Sequence, residues 1–171
     1  MEFFDVIGLR RSVRAFRSTP VAAEMLEKIL QAANAAPSAG NLQAYEIYAV
    51  SNGGALTALG RAAYDQIFVA TAPLALVFCT HPARAMRYGK RGEQLYTIQD
   101  ATIACTFAML AATALGLATV WVGSFDADKV RHIIGAPVDF NPVAILPVGY
   151  AAEKPVSTDR RALDDLVHRM E

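Results

Sequence analysis

Between residues 22 and 36, Met25, Leu26, Ile29, Leu30 and Ala33 recur at helical spacing, with Glu24, Glu27, Lys28 and Gln31 off that face. Pro20 precedes the stretch and Pro37 stops it, so one amphipathic helix is expected there. Phe3, Phe4 and Ile7 predict a shorter helix ending near Gly8. The period then changes to two: "YEIYAV", 45–50, alternates as a half-covered strand does. "SNGG" reads as a turn and 55–65 as a helix. "LALVFCT", 74–80, is a continuous apolar run, the pattern of a strand covered on both faces.

The second half follows the same logic. Residues 82–93, "PARAMRYGKRGE", are the most basic and least periodic part, and a mobile loop is expected. A long helix is expected from about 95 to 115, with Gly116 as its C-terminal punctuation. "ATVWV", 118–122, and "VAILPVGY", 143–150, read as strands. Between them Asp126 or Asp128 is placed to cap a helix running to Ile134, stopped by Gly135 and Pro137. "EKPVSTDRR" is an exposed connector and "ALDDLVHRM" a short terminal helix. Strands interleaved with helices predict an α+β fold, a mixed α/β sandwich, as a single domain over 1–171.

Residues 101–123 carry no charge over a length that would span a bilayer. Four threonines between 102 and 119, several alanines and Gly116 make the run only mildly apolar, and no flanking Lys/Arg bias accompanies it. A buried core helix followed by a strand is the expectation, not a membrane span.

Composition narrows the partners. Hydrophobic residues make up 54% and charged residues 19%, and the 16 basic and 16 acidic residues cancel. That balance excludes a disordered chain and a broad electrostatic grip on nucleic acid. The cations matter by placement: Arg10, Arg11, Arg14 and Arg17 cluster at one end, Arg160 and Arg161 at the other. Cys79 and Cys105 have no CxxC companion and the three histidines are scattered, so no metal site is expected. "MEFFDVIGLRR" has acid at position 2 and no cleavage-site pattern, and a reducing cytoplasmic setting is expected.

Two stretches offer binding chemistry. In "RRSVRAF", 10–16, an extended backbone turns Arg10, Ser12 and Arg14 to one side. Guanidinium forks and a hydroxyl suit a phosphate. An exposed basic stretch with surface ion pairs is the other reading of the same charges. In "APSAGNLQ", 36–43, small residues admit a flat ligand close to the backbone, and Asn41 and Gln43 offer donor and acceptor together. An ordinary helix-to-strand loop has the same composition. Neither GxxxxGK[ST] nor GxGxxG after a strand is present.

These stretches, with "ALGLATVWVGSF", "PVAILPVGY" and "DRRALDDLVH" in the same order, resemble the nitroreductase family of FMN-dependent NAD(P)H oxidoreductases. The likeness to its short members covers nearly the whole chain. It implies a mainly antiparallel central sheet flanked by helices, and an intertwined homodimer with FMN at the interface. Arg10, Ser12 and the backbone of Arg11 then resemble the FMN phosphate and ribityl contacts. Arg14 resembles the cation beside the flavin N1/O2 edge. Pro37, Ser38, Ala39 and Asn41 resemble the loop that reaches the flavin from the other subunit, with Gln43 at a matching position. Val122, Gly123 and Ser124 resemble the segment passing the flavin N5 edge. Arg160, and secondarily Arg161, resemble the C-terminal phosphate-binding arginine, and Gln66 is nearest to the amide at the pyrimidine edge. The sequence departs from the pattern at Ala44–Tyr45, where Pro-Trp is frequent, and at Gly123, where some relatives are acidic.

The implied reaction is ping-pong: NAD(P)H gives hydride to the flavin and leaves, and a nitroaromatic, quinone or similar conjugated acceptor follows. No protein acid or base is assigned. Lys90, Arg91, Glu93 and Tyr96 fall where relatives line the substrate. A flavin-destroying or dehalogenating relative, or a flavin-binding redox protein without enzymatic activity, are the alternatives.

Overall fold

In the computed structural model, which describes residues 1–170, the apolar run 74–80 is the strand its pattern predicts, at the middle of the molecule. The sheet contains β1 (Tyr45–Val50), β2 (Leu74–Thr80), β3 (Ala118–Thr119) and β4 (Pro142–Gly149). Its order is β1-β2-β4-β3 and every neighbouring pair is antiparallel. Period two sorts the side chains. Leu74, Leu76 and Phe78 of β2, with Ala144, Leu146 and Val148 of β4, face one core, whereas Ala75, Val77, Cys79 and Ile145 face the other.

Helices α1 (Phe3–Leu9), α2 (Ala23–Asn34), α3 (Gly53–Ala62) and α4 (Ile67–Thr71) precede a single turn α5 (Gly89–Arg91) and the long α6 (Thr97–Ala114). They are followed by α7 (Ala127–Ile133) and the short α8 (Leu163–Leu166). The first core is closed by α2 and α6, through Ile29, Ala33, Ala101, Ala104 and Ala108. The second is closed by α3, α4 and α7, through Leu56, Leu59, Val69 and Val130. The α+β sandwich with an antiparallel sheet between helical layers is therefore as expected. Asn52 caps α3 by accepting the Ala55 N–H at 3.0 Å, and Asp126 caps α7 by accepting that of Lys129 at 3.1 Å. That backbone bond, and next the Lys129 ammonium 3.2 Å from Asp126 Oδ2, hold the Asp126 carboxyl below its usual value.

Phe78 is 0% exposed, with helices over its core. Phe78→Ala is expected to lower the free energy of unfolding by about 3–5 kcal/mol. Urea melts of wild type and variant measure it, and a loss below about 1 kcal/mol would show that this core does not centre on β2. Cys79 and Cys105 are free and buried. Burial pushes the Cys79 thiol up to about 12 and raises that of Cys105 as well, which makes both core-packing groups rather than nucleophiles.

Two expectations are corrected, and one helix is added. Residues 82–93 are not a loose loop. Pro82–Tyr88 is 3-10 helix, α5 follows, and a π turn over Gly92–Tyr96 leads straight into α6. Their order comes from partners outside the segment and from close stacking: Tyr88 and Tyr96 meet edge to face at 5.4 Å. A Cβ on Gly92 would lie only 2.4 Å from the Ala85 carbonyl oxygen. The strand expected at 118–122 pairs only over Ala118–Thr119, and Val122 rejoins β4 as an isolated bridge to Ile145. Helix α4 had no counterpart in the periodicity. It starts after Tyr64 and Asp65, both at positive φ.

Pro82–Ala114 is long and apolar enough, by length and composition, to cross a membrane. In the structure Ala101, Ala104, Cys105, Ala108 and Ala112 of that run are buried against the rest of the chain. This is the core-helix arrangement expected.

Candidate functional site

Residues 10–17 leave α1 in extended form, and one buried side chain sets which way the others point. Val13 is 4% exposed in the second core, and its N–H donates to the Thr119 carbonyl at 3.0 Å. Ser12 and Arg14, on either side, therefore face outward. The chain after β4 runs back along this segment. Arg17 N–H donates to the Tyr150 carbonyl and Ala152 N–H to that of Ala15, both at 2.8 Å, and Phe16 pairs with Ala151. Beyond them the Glu153 carboxylate accepts the Arg14 N–H.

Between the two segments is a cavity of about 520 Å3 lined by Arg10, Ser12, Arg14, Lys154, Thr158 and Arg160, among others. The two arginine clusters from opposite ends of the chain meet here. Among the described residues, neither the Arg10 nor the Arg14 guanidinium has an ion-pair partner, the three ion pairs lying elsewhere. Arg160 engages Thr158 Oγ1 at 2.8 Å and the adjacent carbonyls, so its fork lies at the cavity wall. Arg11 is committed differently. It donates to the Gly8 and Arg10 carbonyls and to Ser157 Oγ, stitching the two segments together. Arg161 points away, onto the Asp165 carbonyl. Unpaired cations grouped around a hydroxyl, outnumbering the one carboxylate on the wall, that of Glu153, fit a phosphate dianion.

Arg14 also borders a second groove of about 500 Å3, which it shares with Phe16, Gln66, Phe68 and Thr71. The Gln66 amide donates to the Ala63 carbonyl at 2.8 Å and to that of Ser124 at 3.1 Å, which brings Gln66 and Ser124 together. Val122 is buried and its N–H is taken by Ile145 at 3.0 Å. Of the three residues 122–124, Gly123 and Ser124 keep N–H groups without a backbone acceptor among the described residues. Arg14 thus joins the cation-lined cavity to a groove walled by Phe16, Phe68 and Gln66, whose amide N–H groups are spent and whose Oε1 remains as an acceptor.

The 37–43 loop lies elsewhere. Pro37, Ser38 and Ala39 border a cavity of about 530 Å3 together with Tyr96, Gln99 and Asp100, and share none of the arginine grooves. Gln43 is an internal brace: its backbone N–H donates to Ser38 Oγ at 3.0 Å, and its amide donates to Asn41 Oδ1 at 2.6 Å. Asp100 is buried and accepts the Ala39 N–H at 2.9 Å and the Ala44 N–H at 3.3 Å. Tyr45 anchors the loop's far end by donating to the Ala33 carbonyl at 3.0 Å. Burial, and then the nearby Asp100 carboxylate, push the Tyr45 phenol above its usual value. Of the substrate-side candidates, Arg91 donates to the Tyr96 hydroxyl at 3.2 Å.

Sequence reasoning missed Lys154, Glu153 and Asp100. Lys154 carried a signal, a cation six residues before Arg160. Asp100 falls inside the expected helix, directly ahead of the uncharged run, and its position alone pointed to no partner. Nothing in the sequence marked Glu153. Among the described residues no cluster of three or more His, Cys, Asp or Glu is placed to hold a metal ion.

Comparison with known proteins gives one picture. A family model described as "Nitroreductase family" matches residues 7–150. An NADH dehydrogenase of Thermus thermophilus is 32% identical, the match covering 92% of this chain and 91% of that one. An FMN reductase [NAD(P)H] of Bacillus subtilis is 28% identical over 93% of this chain and 70% of its own. Among solved structures, a nitroreductase family protein from Clostridium difficile superimposes with a TM-score of 0.88 at 32% identity, covering 98% of both chains.

Proposed function

The chain belongs to the nitroreductase family, and on that footing we propose that it is an FMN-dependent NAD(P)H oxidoreductase. It passes hydride by a ping-pong cycle to a nitroaromatic, quinone or similar conjugated acceptor, in a cytoplasmic setting. The observation that carries the reading is the convergence of Arg10, Ser12, Arg14 and Arg160 on one cavity, with two of the guanidiniums unpaired.

Bound FMN supplies the hydride-accepting and hydride-donating chemistry. The chain's own residues bind and orient. Arg10, Ser12 and Arg160 hold the phosphate through charge-assisted hydrogen bonds, with Lys154 adding to the positive field. Arg14, which borders both cavities, would supply its positive charge to the pyrimidine edge of the ring and would there favour the reduced, more negative form. The N–H groups of Gly123 and Ser124 are the donors available to the N5 edge. Gln66, fixed by the Ser124 carbonyl, offers its remaining amide capacity to the ring.

A homodimer completes the site. On one chain the 37–41 loop and the arginine grooves share no cavity, so a loop that touches the ring comes from a second copy. Helix α6 has apolar surface left for such an association: Ile98 is 40% and Phe107 37% exposed, on either side of its core face, on a helix whose residues from 101 onward are uncharged.

The test is the visible spectrum of FMN-loaded protein under anaerobic addition of NADH and of NADPH. The expected result is loss of the oxidised flavin band with at least one of them, and its return on adding a quinone. Bound flavin that neither nicotinamide bleaches would overturn the enzymatic reading.

A further inference from the structure

We propose that Asp100, together with Arg84 and Arg87, is a positioning clamp for the 38–43 loop and sets how tightly the flavin ring is held, independently of the phosphate. This rests on the reading above that the loop touches the ring. Asp100 is 2% exposed, and no cation pairs with it among the described residues. A buried carboxylate needs its oxygens satisfied. Its partners are the N–H groups of Ala39 and Ala44, at the two ends of the loop, so a single side chain draws those ends together.

The opposite polarity is met from the other side. Arg87 donates to the Gly40 carbonyl at 3.1 Å, and Arg84 Nε donates to that of Leu42 at 2.9 Å. Loop donors therefore face an acid on α6, while loop acceptors face two guanidiniums on the 3-10 turns before it. The conformation held this way is not a relaxed one: Gly40, Asn41 and Gln43 all have positive φ, 56°, 58° and 43°. Gly40 suits this turn through its positive φ, and a Cβ there would push the Arg87 and Tyr88 side-chain ends aside. Arg84 and Arg87 are exposed, yet they are directed at neutral carbonyls rather than at carboxylates.

Such a loop is ordered before any ligand arrives, which removes the ordering cost from binding. Apart from Arg87's contact with the adjoining Tyr88, the clamp's hydrogen bonds go to the loop and none reaches the phosphate cavity. Its loss therefore weakens every flavin by the same factor, whether or not a phosphate is present. In Asp100→Asn an amide NH2 replaces one acceptor and opposes a backbone N–H.

The experiment measures dissociation constants of FMN and riboflavin for wild type, Asp100→Asn, Arg87→Ala and Arg87→Lys, with circular dichroism confirming the fold. For Asp100→Asn, both flavins are expected to bind about tenfold more weakly, with their ratio unchanged. Arg87→Ala is expected to weaken both about threefold, and Arg87→Lys, which keeps a donor, to recover most of that. Unchanged affinities in a folded Asp100→Asn, or a loss confined to FMN, would overturn the clamp. Should Asp100→Asn not fold, Arg87→Ala at the surface decides alone, and wild-type affinity there is the overturning result. Wild-type protein that takes up neither flavin would instead overturn the flavin reading itself.

Discussion

Arg10→Ala combined with Arg160→Ala is expected to abolish the preference for FMN over riboflavin. Each guanidinium that loses a phosphate oxygen gives up a charge-assisted hydrogen bond, typically about 1.5–3 kcal/mol. Two such losses amount to about a hundredfold or more in the FMN dissociation constant, while riboflavin affinity stays put. Both side chains line the cavity wall and neither supports the cores, so the fold and thermal stability are expected to persist. The FMN term also weakens with added salt, because the cavity is open to solvent ions. Fluorescence titration of both flavins measures it, and an equal loss for both would show that these arginines do not hold the phosphate.

Arg14→Ala acts on the other end. Its guanidinium lies where the phosphate cavity joins the groove of Gln66 and Phe68. Removing it is expected to weaken FMN and riboflavin alike by about tenfold or more. It is also expected to lower the reduction potential of the bound flavin, since the charge favours the reduced ring over the oxidised one. At about 30 mV per 1.4 kcal/mol for a two-electron couple, a downward shift of tens of millivolts is expected in a dye-equilibration titration. An unchanged potential with unchanged affinity would take Arg14 out of the site. The two arginine experiments separate: one changes the FMN-to-riboflavin ratio, the other the potential.

Where a segment's order is local, the sequence showed it. The continuous apolar run of β2 and the helical spacing of α2 both appear as their patterns predict, because each side chain's face follows from its own position. The alternation at residues 10–14 was legible for the same reason, with Val13 as the inward residue. Residues 82–93 read as loose because their partners, the carbonyls of Gly40 and Leu42, are more than forty positions away. Helix α4 is five residues long, too short to show a period, and is launched by the left-handed turn at Tyr64–Asp65. Glu153 and Asp100 stayed hidden because both act on backbone N–H groups, which no residue pattern displays.

The division of labour between the two ends of the chain also explains Arg11 and Arg161. Both sit in arginine pairs: Arg161 turns away onto the Asp165 carbonyl, whereas Arg11 stays on the cavity wall beside Arg10 but has its guanidinium committed to the Gly8 and Arg10 carbonyls and Ser157 Oγ.

The most direct measurement is the crystal structure of the protein grown with FMN. The expected density places the phosphate within hydrogen-bonding distance of Arg10, Ser12 and Arg160, with the ring running past Arg14 toward the 37–41 loop of a second copy. Flavin density with its phosphate anywhere outside that cradle would contradict the account.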